Sequence, residues 1–168
     1  MAFTPRRGAD GLLKITGSGT AEELFRVCSA VAAEYHLRSP ELLTSPGLVK
    51  NFLFSYFRGK PDQSKEYFVV CWLDTQNVLL GTDTLFEGTI DSCAVYKREL
   101  VKRALEVGAA HVILAHNHPS GSTQPSPADF QITREIVNAL RVVDIRVLDH
   151  VVVTPGGESH SFAEHGEI

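Results

Sequence analysis

The stretch His116-Asn117-His118-Pro119-Ser120-Gly121, running on to Pro125-Ser126-Pro127-Ala128-Asp129, decides how this chain is read. It follows a short apolar run, residues 110–115, that reads as a strand. In extended backbone, positions i and i+2 point to the same face, so the imidazoles of His116 and His118 can reach one ion. Pro119 removes a backbone donor and ends the strand. Ser126-Pro127-Ala128-Asp129 reads as a helix start, with Ser126 as cap, Pro127 in the first turn and Asp129 at the third position. A carboxylate is favoured there by the helix dipole even without a metal. The loop 120–124, with Gly121, can fold the helix start back over the strand end. Two imidazoles and one carboxylate then make a three-ligand site with an open fourth position, the pattern of catalytic rather than structural zinc. The expected ligands are His116, His118 and Asp129, the expected ion is Zn2+, and the expected reagent is a zinc-activated water.

Working outward, residues 127–143 continue as a helix and 146–153 as a last strand before the turn Pro155-Gly156-Gly157. Upstream, residues 96–107 have helical period, with Leu100, Val101, Ala104 and Leu105 expected inward and Gly108 as the stop. Residues 67–73 and 78–87 are β-forming runs joined by Asp74-Thr75-Gln76-Asn77, which predicts a hairpin. Ser45-Pro46 starts a helix whose apolar face is Leu48, Val49, Phe52 and Tyr56 and whose stop is Gly59. Strands and helices alternate after residue 66, so the expected fold class is α/β or α+β with a mixed sheet flanked by helices. Ahead of this lies a lead-in of 44 residues. Within it, residues 12–15 can pair as a short strand, and Thr20-Ala21-Glu22-Glu23 forms a capping box for an amphipathic helix ending near His36. The expected division is an extension, 1–44, and a metal-binding domain, 45–168.

The whole chain sets bounds on function. It has 168 residues, enough for one domain with a sizeable core. It is 43% hydrophobic and 21% charged, with a formal net charge of −4, a balance that does not support wrapping nucleic acid by charge alone. Lys97, Arg98, Lys102 and Arg103 form a small basic cluster, read as a solvated helix face with a phosphate-contacting patch as the alternative. Cys28, Cys71 and Cys93 are widely spaced, without a C-x-x-C pair, and are expected as buried or half-buried free thiols. The first 19 residues lack the apolar core of a signal peptide, and no run approaches the ~20 apolar residues of a membrane span. A cytoplasmic protein without membrane association is expected.

The spacing His116-x-His118-Pro119 followed by Ser126-x-x-Asp129 resembles the motif of JAMM (JAB/MPN) metalloproteases, H-x-H-P then S-x-x-D. The longer string His-Asn-His-Pro-Ser-Gly with Pro-Ser, Asp and Thr133 is similar to the RadC subgroup, and Gly88-Thr89, Arg98-Glu99 and Asp149-His150 look like further landmarks of it. The resemblance covers residues 45–166. It implies a JAB/MPN, cytidine-deaminase-like architecture and a peptide or isopeptide bond as substrate class. The helix-hairpin-helix segment of full-length RadC proteins is not evident in the lead-in, so a short form is expected.

The resemblance also implies a catalytic glutamate upstream of the histidines. Glu66 is preferred, because it opens the first strand of the hairpin. Glu99, in a helix beside Lys97, Lys102 and Arg103, is the competitor. Ser126 is implied as the group that steadies a developing oxyanion, with helix capping as its other reading. His150 is expected behind the ligands or in sheet packing rather than on the metal. The competing functions are a DNA repair-associated protein and a non-catalytic JAMM-like binding module. Replacement of His118 by Ala is expected to abolish zinc binding, measured as metal per chain; retained stoichiometric zinc contradicts the ligand assignment.

Overall fold

The computed structural model describes residues 3–7, 13–24, 26–28, 42–88 and 97–168. The elements, in chain order, are β1 (Thr4–Arg7), β2 (Leu13–Thr16), α1 (Pro46–Arg58), β3 (Tyr67–Leu73), β4 (Leu79–Glu87), α2 (Lys97–Glu106), β5 (His111–Asn117), α3 (Pro127–Arg141), β6 (Arg146–Val153) and β7 (Ser159–Ser161). β1 and β2 form an antiparallel pair. The other five strands form a mixed sheet in the order β4-β3-β5-β6-β7, with helices on both faces. Only β5 and β6 are parallel, and α3 is the crossover between them. This is the α/β fold with a mixed, helix-flanked sheet that the alternation of elements predicts.

The two central strands explain the layering. β3, Tyr-Phe-Val-Val-Cys-Trp-Leu, is buried along its whole length, and β5 is buried from Val112 onward. A strand covered on both faces reads as a continuous apolar run rather than an alternating one. Period two then sorts the side chains into two cores. Phe68, Val70, Trp72, Val112 and Leu114 pack with Leu100 and Ala104 of α2 and Ile132, Ile136 and Leu140 of α3. Val69, Cys71, Leu73, Ile113 and Ala115 pack against Val49, Leu53 and Phe57 of α1. By the same parity His116 emerges on the α2/α3 face.

Local chemistry sets the element ends. Ser45 caps α1 through its side chain, which accepts from the Leu48 amide, and Pro46 follows. Gly59 closes α1 in right-handed geometry, so its left-handed freedom is not used there. Asp74 organises the β3–β4 turn, its Oδ1 accepting from the amides of Gln76 (2.8 Å) and Val78 (2.9 Å), while Asn77 takes the left-handed conformation at φ 61°. Gly108 ends α2 at φ +68°. The Thr20–Glu23 capping box forms in both directions, at 2.8 and 3.1 Å; the expected end of that helix near His36 lies outside the described residues. Residues 42 and 43 join the hairpin, Leu42 bridging to Val78 and the Leu43 amide donating to the Asn77 carbonyl at 2.9 Å.

Some sequence expectations change. Leu105 does not face inward; it is 59% exposed, because Leu100 and Ala104 already complete the buried stripe of a ten-residue helix. β5 runs two residues further than the apolar stretch, through His116 and Asn117, because β6 continues to pair with both. β7, Ser-His-Ser, carries no β-forming residue type and is held by pairing to Val151, Val152 and Val153. Cys28 is a free thiol but exposed, not buried or half-buried as expected; Cys71 is a buried free thiol, pushed up to about 12 by burial; Cys93 lies outside the described residues. No helix among the described residues is long and apolar enough to cross a membrane.

α3 is positioned by one stripe of buried residues: Asp129, Ile132, Thr133, Ile136 and Leu140. Its C-terminal half anchors the apolar core and its first turns deliver polar groups to the end of β5. Replacing fully buried Ile136 with Ala is expected to cost about 2–5 kcal/mol in denaturant unfolding, since the cavity sits between helix and sheet. A loss below ~0.5 kcal/mol, the range of surface substitutions, would show that α3 is not fixed by this contact.

Candidate metal centre

His116 and His118 leave the end of β5 on the side where α3 begins. His118 closes the strand, its amide donating to the Val153 carbonyl at 2.9 Å. At the start of α3, Ser126 and Asp129 form a reciprocal capping box. The Ser126 amide donates to Asp129 Oδ2 (2.7 Å) and the Asp129 amide donates to Ser126 Oγ (3.2 Å). This geometry assigns one carboxylate oxygen to the helix and leaves the other for the site. His116 Nε2 lies 3.0 Å from His118 Nε2 and 3.4 Å from Asp129 Oδ1, and His118 Nε2 lies 3.8 Å from Asp129 Oδ2. Asp129 Oδ1 is buried and has no hydrogen-bond partner.

The tautomers follow from the groups behind the ligands. Thr133 Oγ1 sits 2.5 Å from the Asp129 carbonyl, which can only accept, so the hydroxyl proton goes there. Thr133 must then accept from His150 Nδ1 at 2.6 Å. His150 is left with a lone pair on Nε2, which accepts from His116 Nδ1 at 2.8 Å. His116 therefore presents an Nε2 lone pair to the site. His118 arrives at the same state separately, its Nδ1–H donating to the Ser122 carbonyl at 2.8 Å. Aromatic rings flank the pair: Phe68 lies nearly parallel to His116 at 6.1 Å, and His150 stacks on Phe162 at 4.6 Å.

Electrostatics agree with neutral rings. Burial pushes the pKa of His116 down, partly opposed by Asp129, and pushes that of His150 well down. Burial works against ionisation of Asp129; the His116 ring favours it whenever Nε2 carries a proton, the Ser126 hydrogen bonds favour it as well, and together these hold the carboxyl below the usual carboxylate range. A carboxylate and two imidazole lone pairs thus converge with no proton assigned between them. That arrangement repels itself in a low-dielectric interior unless a cation joins it. The two separations from His116 Nε2, 3.0 Å to His118 Nε2 and 3.4 Å to Asp129 Oδ1, lie near about 3.3 Å, the edge of a tetrahedron built from ~2.0–2.1 Å metal–ligand bonds. His116, His118 and Asp129, all buried, could hold a metal ion, with ligand atoms within 4.8 Å of one another.

The other expected residues take distinct places. Glu66 is half-buried just before β3, and its charge is felt at His116. The β3–β5 pairing ends at Phe68 and His116, and Glu66 stands two residues before that last pair, at the end of the sheet where the histidines emerge. Glu99 lies on α2 in an exposed pair with Arg98 at 3.2 Å. Ser126 is the α3 cap. His150 stands behind His116, outside the three-ligand group. The roles of Thr133 and the Ser122 carbonyl escape a reading by ligand spacing, because neither touches the ion position. The i, i+4 relation of Asp129 and Thr133 on one helix face is the signal that points to the first.

Thr133→Val keeps the shape of the side chain and removes the hydroxyl that fixes His150. Loss of such a supporting hydrogen bond is expected to weaken zinc binding by about 10–100-fold, read by chelator competition, with α-helical content unchanged. Unaltered affinity would show that the relay does not orient His116.

Comparison with known proteins places these residues in a family. The RadC-like JAB domain matches residues 43–167, most of the chain and all of the site. A UPF0758 protein of Vibrio parahaemolyticus is 51% identical over 132 residues, covering 79% of this chain and 57% of the relative. A UPF0758 protein of Vibrio vulnificus is 53% identical with the same coverage, and one of Paracidovorax citrulli is 44% identical over 95% of this chain and 68% of the relative. The chain thus spans little more than half the length of its Vibrio relatives. With the domain matched over most of its length and these identities, the chain belongs to the RadC-like JAB domain family.

Proposed function

We propose that the chain is a zinc-dependent hydrolase of amide bonds, a JAMM-type peptidase or isopeptidase. The observation that carries this reading is the convergence of two Nε2 lone pairs and the orphaned Asp129 Oδ1 on one buried point. Two imidazole nitrogens and one carboxylate oxygen are a donor set that catalytic zinc uses, and three protein ligands leave a position for chemistry. Zinc bound there supplies Lewis acidity, polarising a carbonyl and bringing water toward a pKa of ~7.

The chain's own residues divide the remaining work. Glu66, half-buried and with its charge felt at His116, takes the proton of the attacking water and passes it to the leaving amine. Ser126 caps α3 through an oxygen lone pair, which leaves its hydroxyl proton to donate to the developing oxyanion. Capping and oxyanion support are therefore compatible in one side chain. His150 and Thr133 hold His116, and Ser122 holds His118, so the ligands need no rearrangement during turnover.

A nucleic-acid role finds less support. Lys97 pairs with Glu135 (2.9 Å), Arg98 with Glu99 (3.2 Å), Lys102 with Glu106 (3.8 Å) and Arg103 with Asp83 (2.7 Å). The basic cluster is matched by carboxylates and offers little net field to phosphate.

The test is Glu66→Gln on the zinc-loaded protein, assayed against a mixed peptide library by mass spectrometry. The variant is expected to keep one zinc per chain and lose about 10²–10⁴-fold in hydrolysis, the usual weight of a general base. Unchanged hydrolysis would remove Glu66 from the mechanism, and a wild-type protein without zinc would remove the hydrolase reading.

A further inference from the structure

The residue between the two histidines does work that neither its spacing nor the metal site assigns. The pairing of β3 with β5 ends at Phe68 and His116. One residue further, Asn117 keeps its backbone paired with Val153 of β6, while its carboxamide reaches across to the strand that is leaving. Asn117 Oδ1 accepts from the Tyr67 amide at 2.7 Å, and Asn117 Nδ2 donates to the Lys65 carbonyl at 2.9 Å. These two bonds straddle residue 66. A third bond fixes it from the other side, the Gly88 amide donating to the Glu66 carbonyl at 2.8 Å.

We propose that Asn117 is a positioning residue for Glu66: its carboxamide clamps the backbone on both sides of the glutamate and so sets the carboxylate relative to the metal ligands. The proposal rests on the assignment of Glu66 given above. Its physical basis is the weakness of position 66 without such a clamp. The preceding segment, 59–65, is a mostly exposed loop, and a strand end beside such a loop frays at little cost. A general base acts only within about 2.6–3.2 Å of the proton it takes, so fraying of a few ångströms disables it. The clamp comes from the one residue whose two neighbours are both ligands. Base and metal are thereby referenced to a single turn of β5. Asn117 is 9% exposed and Tyr67 3%, so loss of the carboxamide leaves a buried amide without its partner rather than exchanging it for water. Asparagine suits the position because one side chain must both accept and donate.

The test uses the full chain with Co2+ as a paramagnetic probe. Amide exchange at Tyr67 is measured without metal, and the relaxation enhancement of the Glu66 side-chain carbons with it, Glu99 serving as the distant reference. In Asn117→Ala, Co2+ still binds at one per chain, Tyr67 exchanges about 10-fold faster, the worth of one buried hydrogen bond, and the Glu66 enhancement falls while its carbons become more mobile. Asn117→Asp keeps the acceptor for Tyr67 and loses the donor to Lys65. It is expected to preserve Tyr67 protection while still loosening Glu66, a separation that general destabilisation does not produce, and it carries the test if the alanine variant fails to fold. A folded, Co2+-binding variant with unchanged Glu66 enhancement overturns the proposal. If wild-type protein binds no Co2+, the metal reading fails by itself, and the clamp is judged on Glu66 mobility in metal-free protein, where no change between wild type and Asn117→Ala overturns it.

Discussion

The Thr133 hydroxyl has one proton, and the Asp129 carbonyl beside it can only accept. From that constraint the state of the site follows in order: His150 must donate to Thr133 and accept from His116, and His116 must turn a lone pair toward Asp129. The relay begins and ends on the same residue, since Asp129 offers its backbone carbonyl at one end and its carboxylate at the other. Metal-binding imidazoles are commonly oriented by a partner on the far nitrogen. Here that partner is anchored to the helix that supplies the third ligand, so His116 cannot be oriented independently of α3.

The fold serves this arrangement through two short-range devices. β5 and β6 are parallel and joined by α3, which brings the start of the helix to the end of β5 where the histidines emerge. The capping box then divides the Asp129 carboxylate, giving Oδ2 to the helix and leaving Oδ1 for the site. Capping and metal binding, which compete when Asp129 is considered alone, would fall to different oxygens of one group. Asn117 ties the backbone on either side of Glu66 to the strand that carries His116 and His118.

Much of this was legible in the sequence, for reasons particular to the residues. The two-residue spacing of His116 and His118, the Ser126-Pro127 helix start and the apolar runs of β3 and β5 are local signals, and local signals survive folding when tertiary packing agrees with them. The Ser45 and Ser126 caps and the Asp74 turn appear where their side-chain chemistry puts them. β7 was not legible, because Ser-His-Ser is a strand only by virtue of pairing with β6. Leu105 was misread because helical period marks two candidate faces in a short helix and the neighbouring elements choose between them. The relay through Thr133 and His150 joins residues 17 apart in sequence on different elements, and no periodicity encodes such a contact.

The most direct test of the account is anomalous diffraction at the zinc edge from crystals of the zinc-soaked protein. The account predicts one site, about 2.0–2.2 Å from His116 Nε2, His118 Nε2 and an Asp129 carboxylate oxygen, with His150 still bonded to His116 Nδ1 behind it. Absence of that peak, or strong density instead at the stacked His160–His165 pair, would contradict it.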